Sequence, residues 1–293
     1  MVSEPQMFAD YKPTGHLWIT LAKGRYYPDY LEDATTLYQP VLEEFKRLMM
    51  SSESSQRLLL QIADVRESVM RVQLCRVFRK YVSPETPVEM LKKKLSATDI
   101  IARFGAGFRP IHEVQQAFLT RPLPDETLSA ILWEYKDRGK SGYRLTERFF
   151  SMFRNQFSDL QISGPERAGK DIPLRQIFPR YPNPKRPVDF VIRRGNEPED
   201  VLVVGLARYE SDRGGAQEDD RPGGYRDCAH EVLTYASAHG LTPKVLFLND
   251  GPGLLLGSMW DDYANLESLW PGKVMVLTLR MVPERLTREW IFS

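Results

Sequence analysis

Apolar side chains recur at helical spacing from Leu31 to about Thr120, and from residue 188 onward they gather into short unbroken runs. The stretch Val41-Leu42-Glu43-Glu44-Phe45-Lys46-Arg47-Leu48-Met49 sets its apolar positions three and four apart, which predicts a helix with one buried face. Residues 56–81 carry Leu58, Ile62, Val65, Val69, Val72, Val77 and Tyr81 among arginines and read as one long helix. Ser83-Pro84 and Pro87 end it, because proline lacks an amide hydrogen and disfavours helix before it. A further helix is expected over residues 88–95, with Lys92, Lys93 and Lys94 on its exposed side.

The pattern changes near residue 125. A helix is expected over residues 145–157, followed by a connector rich in proline, glycine and arginine over 164–187. Two apolar strands follow, at 188–192 and 201–207, and the polar run 193–200 between them closes a hairpin. A glycine-rich polar segment, 210–224, leads into a helix over 227–239, and strands are expected at 244–248 and 273–279. This order predicts an α/β (α+β) fold with a mixed sheet flanked by helices. Residues 1–125 form a mainly helical region suited to support, dimerisation or DNA contact, and residues 126–293 form a second domain.

The chain has 293 residues, 40 basic and 39 acidic, so its net charge of +1 favours no class of partner. With 42% hydrophobic and 27% charged residues, it has enough apolar side chains for a core and is not expected to be disordered. No run approaches the ~20 apolar residues of a membrane span. The first dozen residues lack the basic-then-apolar order of a signal peptide. Two cysteines, Cys75 and Cys228, cannot make a disulfide framework and lack metal-ligand spacing, consistent with a reducing cytoplasm.

Candidate chemistry gathers in the second half. Asp189 is the one acid in the apolar run 188–192, and a carboxylate there is costly unless a metal ion or a basic group compensates it. Glu147 lies early in the helix expected over 145–157. Directly after the second strand comes Arg208-Tyr209-Glu210-Ser211-Asp212-Arg213, a dense run of charge. A helix glutamate, a hairpin aspartate and groups at the next strand's end can converge on a divalent cation, and hard oxygen ligands suit Mg²⁺.

The order of these elements over residues 130–293 resembles the PD-(D/E)XK superfamily, and within it the type II restriction endonucleases. Glu147 and Asp189 match that family's helix glutamate and hairpin aspartate. Phe247-Leu248-Asn249-Asp250-Gly251-Pro252-Gly253, Trp260 and the run 274–279 resemble its closing elements. The resemblance implies a Mg²⁺-dependent nuclease core that cuts a short, palindromic duplex site. It also implies a homodimer and a cognate DNA methyltransferase in the same system.

The third motif departs from the family. An acid and a lysine two apart are expected at the strand end, where this chain has Gly205 and Ala207. In the branch that reads CCGG-like sites the acid lies about a dozen residues after the lysine, and Asp220 falls at that interval from Ala207. The guanine- and cytosine-reading pair of that branch matches Asp212-Arg213, with the lysine replaced and Arg208 as the nearest cation. Alternatively Arg208 and Glu210 serve as the third motif. A third reading is a non-catalytic DNA-binding protein on a degenerate nuclease core. On the first reading Asp189, Glu147 and Asp220 hold the metal, with the lysine slot at Ala207. Residues 209–225 read as a recognition segment in which Asp212, Arg213, Gln217 and Arg221, together with Glu210, contact base edges or orient those that do.

Overall fold

The computed structural model describes residues 6–22, 26–86, 96–166, 171–183, 185–210 and 220–293. Its chain divides into two compact units, one of residues 24–138 and one joining residues 1–23 to 139–293. The boundary expected at residue 125 is therefore corrected on two counts. The division falls inside a single helix, Glu126–Gln156, whose start lies well before the expected residue 145. The first residues also belong with the C-terminal half. Phe8 stacks on Trp260 at 4.5 Å between ring centroids, and the Trp260 indole donates to the Phe8 carbonyl at 3.0 Å.

The unit of residues 24–138 is helical, as the periodicity predicts. Tyr38, Leu42 and Phe45 of the helix Leu31–Met50 pack with Leu58, Leu59, Ile62, Leu74, Phe78 and Phe118 in one buried cluster. The single helix expected over 56–81 is two, Ser55–Asp64 and Ser68–Tyr81. Val65 leaves the helical region at the break, and the buried Arg71 donates to its freed carbonyl at 2.7 Å. Periodicity alone misses such a break because the apolar face continues through it. The helix expected over 88–95 lies outside the described residues.

The other unit is built on a five-stranded mixed sheet. The strands, in chain order, are β1 (Gln161–Ser163), β2 (Ile172–Pro173), β3 (Pro187–Val188), β4 (Phe190–Arg193), β5 (Val201–Tyr209), β6 (Lys244–Asp250) and β7 (Val274–Leu277). The large sheet runs β1-β4-β5-β6-β7, and β2 pairs with β3 beside it. The pairs β1–β4 and β4–β5 are antiparallel, whereas β5–β6 and β6–β7 are parallel. The expected mixed-sheet α/β fold with flanking helices is present. Every residue of β6 and β7 is buried, as strands covered on both faces require. The run expected as one strand over 188–192 is divided at Asp189, β5 runs two residues further than expected, and β7 is shorter than 273–279. No helix among the described residues is long and apolar enough to cross a membrane.

Close packing of β4 on β5 depends on Gly205. A Cβ at that position would run into the Phe190 ring, which packs against Phe149 at 5.1 Å. Gly205→Ala is expected to destabilise the protein by about 1–3 kcal/mol, as overpacking of a tight core does. Urea unfolding measures it, and an unchanged midpoint would mean that Phe190 has room to turn aside.

Candidate functional site

The site forms where β5 leaves the sheet. Asp189 sits in the bend between β3 and β4 and is tied to β5 at two points. Its amide donates to the Gly205 carbonyl at 2.9 Å, and its Oδ2 accepts the Ala207 N–H at 2.7 Å. Gly164, at φ +153°, lies behind this bend, and a side chain there would strike the Asp189 carbonyl. Among the described residues Oδ1 of Asp189 takes no hydrogen bond. Burial pushes this carboxyl up to about 6; the Ala207 N–H and the Arg208 charge pull it down, and Asp171 adds to the rise. Part of Asp189's role is thus structural, satisfying a strand amide.

Side chains alternate along β5, so Ala207 and Tyr209 face one side of the sheet while Arg208 and Glu210 face the other. Arg208 Nε lies 3.3 Å from Glu210 Oε1, with Arg208 40% exposed and Glu210 only 2%. The Tyr263 hydroxyl of the helix Met259–Ser268 donates to the same oxygen at 2.9 Å. The Glu210 backbone is held as firmly. Its amide donates to the Asp250 carbonyl at 2.7 Å, and its carbonyl accepts from Gly253 at 3.0 Å. Gly251, at φ +115°, permits this approach, since a Cβ there would meet the Glu210 carbonyl.

Tyr225 covers the same face. It belongs to the helix Asp220–Ala238 and stacks on Phe247 of β6 at 4.8 Å. Burial raises its hydroxyl pKa far above the ordinary tyrosine range; Asp189 and Glu210 raise it further, and Arg208 opposes them. Its phenol therefore lies within the field of all three groups. In the sequence Tyr225 is marked only as a tyrosine at the end of a glycine-rich segment.

Of the residues expected to carry chemistry, the structure groups Asp189, Arg208 and Glu210. It places the Ala207 methyl on the opposite face, although the Ala207 amide bonds to Asp189. Glu147 is on the helix Glu126–Gln156 and lines a cavity of about 270 Å³ with Thr20, Ala22, Arg144, Arg148 and Tyr209. That is the Tyr209 side of β5, and the contacts described for Glu147 and Asp189 lie on opposite faces of the sheet. The expected convergence of these two acids is therefore not what the geometry presents. Among the described residues no three His, Cys, Asp or Glu side chains gather as a metal-binding group.

Asp220 and Arg221 open the helix Asp220–Ala238 rather than lying in a loop, because that helix starts seven residues before the expected Asp227. Asp212, Arg213 and Gln217 lie outside the described residues. Cys75 and Cys228 are free and buried, and burial pushes both thiols up, to about 12 and about 11. Asp250, acidic and buried in β6, is a structural acceptor for the amides of Thr20 at 2.6 Å, Gly251 at 2.7 Å and Leu279 at 3.1 Å. No protein-family model and no curated protein matches this chain.

Proposed function

We propose that this chain is a sequence-specific double-stranded DNA endonuclease of the type II restriction class, using Mg²⁺ to hydrolyse a phosphodiester bond. The observation that carries the reading is Asp189, held in a bend against β5 beside the Arg208–Glu210 pair on one face of the sheet. This supports the second reading of the third motif, with Arg208 as the cation, over a lysine slot at Ala207.

Asp189 offers one hard oxygen to a divalent cation. Asp189 keeps one carboxylate oxygen free of hydrogen bonds among the described residues, and its raised pKa marks a buried acid short of positive charge. Asp189 would hold the ion, and Asp220 remains a candidate partner from the start of its helix. When bound, the cation supplies Lewis-acid polarisation of the phosphate and a more acidic water. The Arg208 guanidinium, part exposed, offers donors to a phosphate oxygen and offsets charge that builds during attack. Glu210 and Tyr263 orient Arg208 through the shared Oε1. Residues 209–225 are the proposed reader of base edges, with Asp212, Arg213, Gln217 and Arg221 in that role. A palindromic site calls for a homodimer, and protection of host DNA calls for a cognate methyltransferase.

A non-catalytic DNA-binding protein is the second reading. It is favoured by the Asp189 bond to the Ala207 amide, which gives that acid a purely structural use. Incubation with plasmid DNA and Mg²⁺, followed by sequencing of any ends, separates the two. Discrete ends support the endonuclease, and intact plasmid with retained duplex binding supports the alternative.

Arg208 and Ala207 divide the readings of the third motif. Arg208→Ala is expected to lower the cleavage rate by about 10²–10³-fold, the usual cost of removing one preorganised donor to developing charge. Ala207→Lys should bring no gain, because its side chain faces away from Arg208. A large acceleration by Ala207→Lys, with Arg208→Ala still active, would return the lysine slot to 207.

A further inference from the structure

A second cavity, of about 600 Å³, lies between the helix Asp220–Ala238 and the segment around Tyr181 that precedes β3. That volume is within the roughly 300–1,000 Å³ of small-molecule sites. Glu231, Thr234, Tyr235 and Ala238 reach it from one helix face, since positions three and four apart are neighbours on a helix. Tyr181, His230 and His239 add three more rings, and among the described residues no lysine or arginine lines it.

The walls are fixed by contacts outside the cavity. Tyr235 packs on Tyr181 at 5.0 Å and on Phe178 at 5.6 Å, and the His239 ring stacks on it at 4.0 Å. Nδ1 of His239 donates to the Tyr235 carbonyl at 2.8 Å, which holds the imidazole over the phenol. Glu231 is held through one oxygen. Its Oε2 accepts the Tyr181 hydroxyl at 3.2 Å and lies 3.3 Å from Arg186 Nε. Among the described residues its Oε1 accepts no hydrogen bond. Burial, and then the Glu231 charge, raises the Tyr181 hydroxyl above the ordinary tyrosine range, so that phenol remains a neutral donor.

We propose that this cavity binds a small quaternary-ammonium compound, with its cation among the Tyr181, Tyr235 and His239 rings and beside Oε1 of Glu231. The inference is independent of the endonuclease reading. Aromatic faces attract a cation, and an alkylated ammonium needs no hydrogen-bond acceptor, only rings and a counter-charge. A metal ion fits less well, because among the described residues no three His, Cys, Asp or Glu side chains gather as a metal-binding group. An anion would meet Glu231 with no lining cation to balance it. Asn183 and Thr234, also in the wall, supply polar partners for a hydroxyl at the ligand's other end.

The test is a ligand-observed NMR titration of the full chain with choline and with dimethylbutanol, its neutral carbon isostere. Thermal unfolding of each variant is measured in parallel. Choline is expected to bind at least about 10-fold more tightly than the isostere, since only the cation gains from the rings and from Glu231. Glu231→Gln should weaken choline binding by about 10-fold and leave the isostere unchanged. Equal binding of the two compounds overturns the proposal, as does a chain that binds no choline or a Glu231→Gln variant with wild-type affinity. If Glu231→Gln does not fold, Thr234→Arg decides, because it sets a competing cation at an exposed position of the wall. Loss of choline binding in Thr234→Arg supports the site, and wild-type affinity overturns it. A peptide carrying trimethyllysine that binds at least about 10-fold more tightly than choline would overturn the free ligand in favour of a protein side chain. Plasmid cleavage is read separately, so failure of either reading leaves the other standing.

Discussion

Asp189→Ala is expected to lower DNA cleavage by at least about 10²-fold while leaving specific duplex binding largely intact. The carboxylate is the one acid placed in the bend between β3 and β4, and among the described residues its Oδ1 takes no hydrogen bond. Asp189→Asn separates its two roles, since the amide oxygen still accepts from Ala207 but carries no charge. Cleavage should stay lost in Asp189→Asn even though the bend is preserved. Single-turnover cleavage and a binding isotherm on the same duplex check this, and a variant that cuts at the wild-type rate removes Asp189 from the chemistry.

The raised pKa of Asp189 also predicts a pH dependence of stability in the metal-free protein. The folded chain holds this proton more tightly than the unfolded chain, so the contribution is fully present below the ordinary value of 3.8. It is lost as pH rises through about 6. A carboxyl moved that far corresponds to something on the order of 3 kcal/mol. Urea midpoints between pH 3.5 and pH 7 should show this fall in the wild type and lack it in Asp189→Asn. Parallel profiles for the two proteins would refute it.

Glu267→Ala is the substitution expected to damage the fold most. Glu267 and Arg285 form an ion pair at 2.5 Å, 3% and 5% exposed, inside the sheet-containing unit. Oε1 of Glu267 also accepts the Phe8 amide at 3.2 Å, and Oε2 accepts the Val276 amide of β7 at 2.9 Å. Arg285 in turn donates through Nε to the Gln6 carbonyl at 3.1 Å and through Nη1 to the Val276 carbonyl. The network joins the N-terminal segment, the helix Met259–Ser268, β7 and the chain near residue 285. Removing the carboxylate leaves a buried guanidinium without its counter-charge and strands two amides. The expected cost is about 3–5 kcal/mol, measured by guanidinium unfolding. Replacing both Glu267 and Arg285 with apolar residues of similar volume should cost less than Glu267→Ala alone. A loss under about 1 kcal/mol for Glu267→Ala would mean that water already reaches the pair.

Local pattern was enough for most elements and for the sheet-forming runs. The strands expected at 201–207 and 244–248 read clearly because uninterrupted apolar residues of strand length suit a sheet covered on both sides, and each runs two residues further into polar sequence. The hairpin over β4 and β5 was legible because a polar turn separates two such runs. Asp189 stood out as a charge inside an apolar segment, and Arg208 and Glu210 stood out as charge directly after one. The start of the helix Glu126–Gln156 was obscure, since Gly139 and Gly142 weaken its local preference, and helical packing overrode that signal.

The sequence by itself determined the α/β class, the helical character of residues 31–120 and the acids and cation from which a site can be built, because periodicity and composition are local properties of the chain. Only the tertiary structure decided which of them meet. It joined residues 1–23 to the C-terminal unit through Phe8, Trp260 and the buried Glu267–Arg285 pair, contacts separated by more than 250 positions in the chain for Phe8. It put the Arg208–Glu210 face of β5, not the Ala207 face, on the side of the Asp189 carboxylate, because which face meets Asp189 depends on the β4–β5 register and not on spacing within β5. It turned Glu147 toward Tyr209, and it brought in Tyr225, whose place depends on helix packing across the sheet. Each of these is a long-range pairing, and a pattern confined to neighbouring residues carries no record of it.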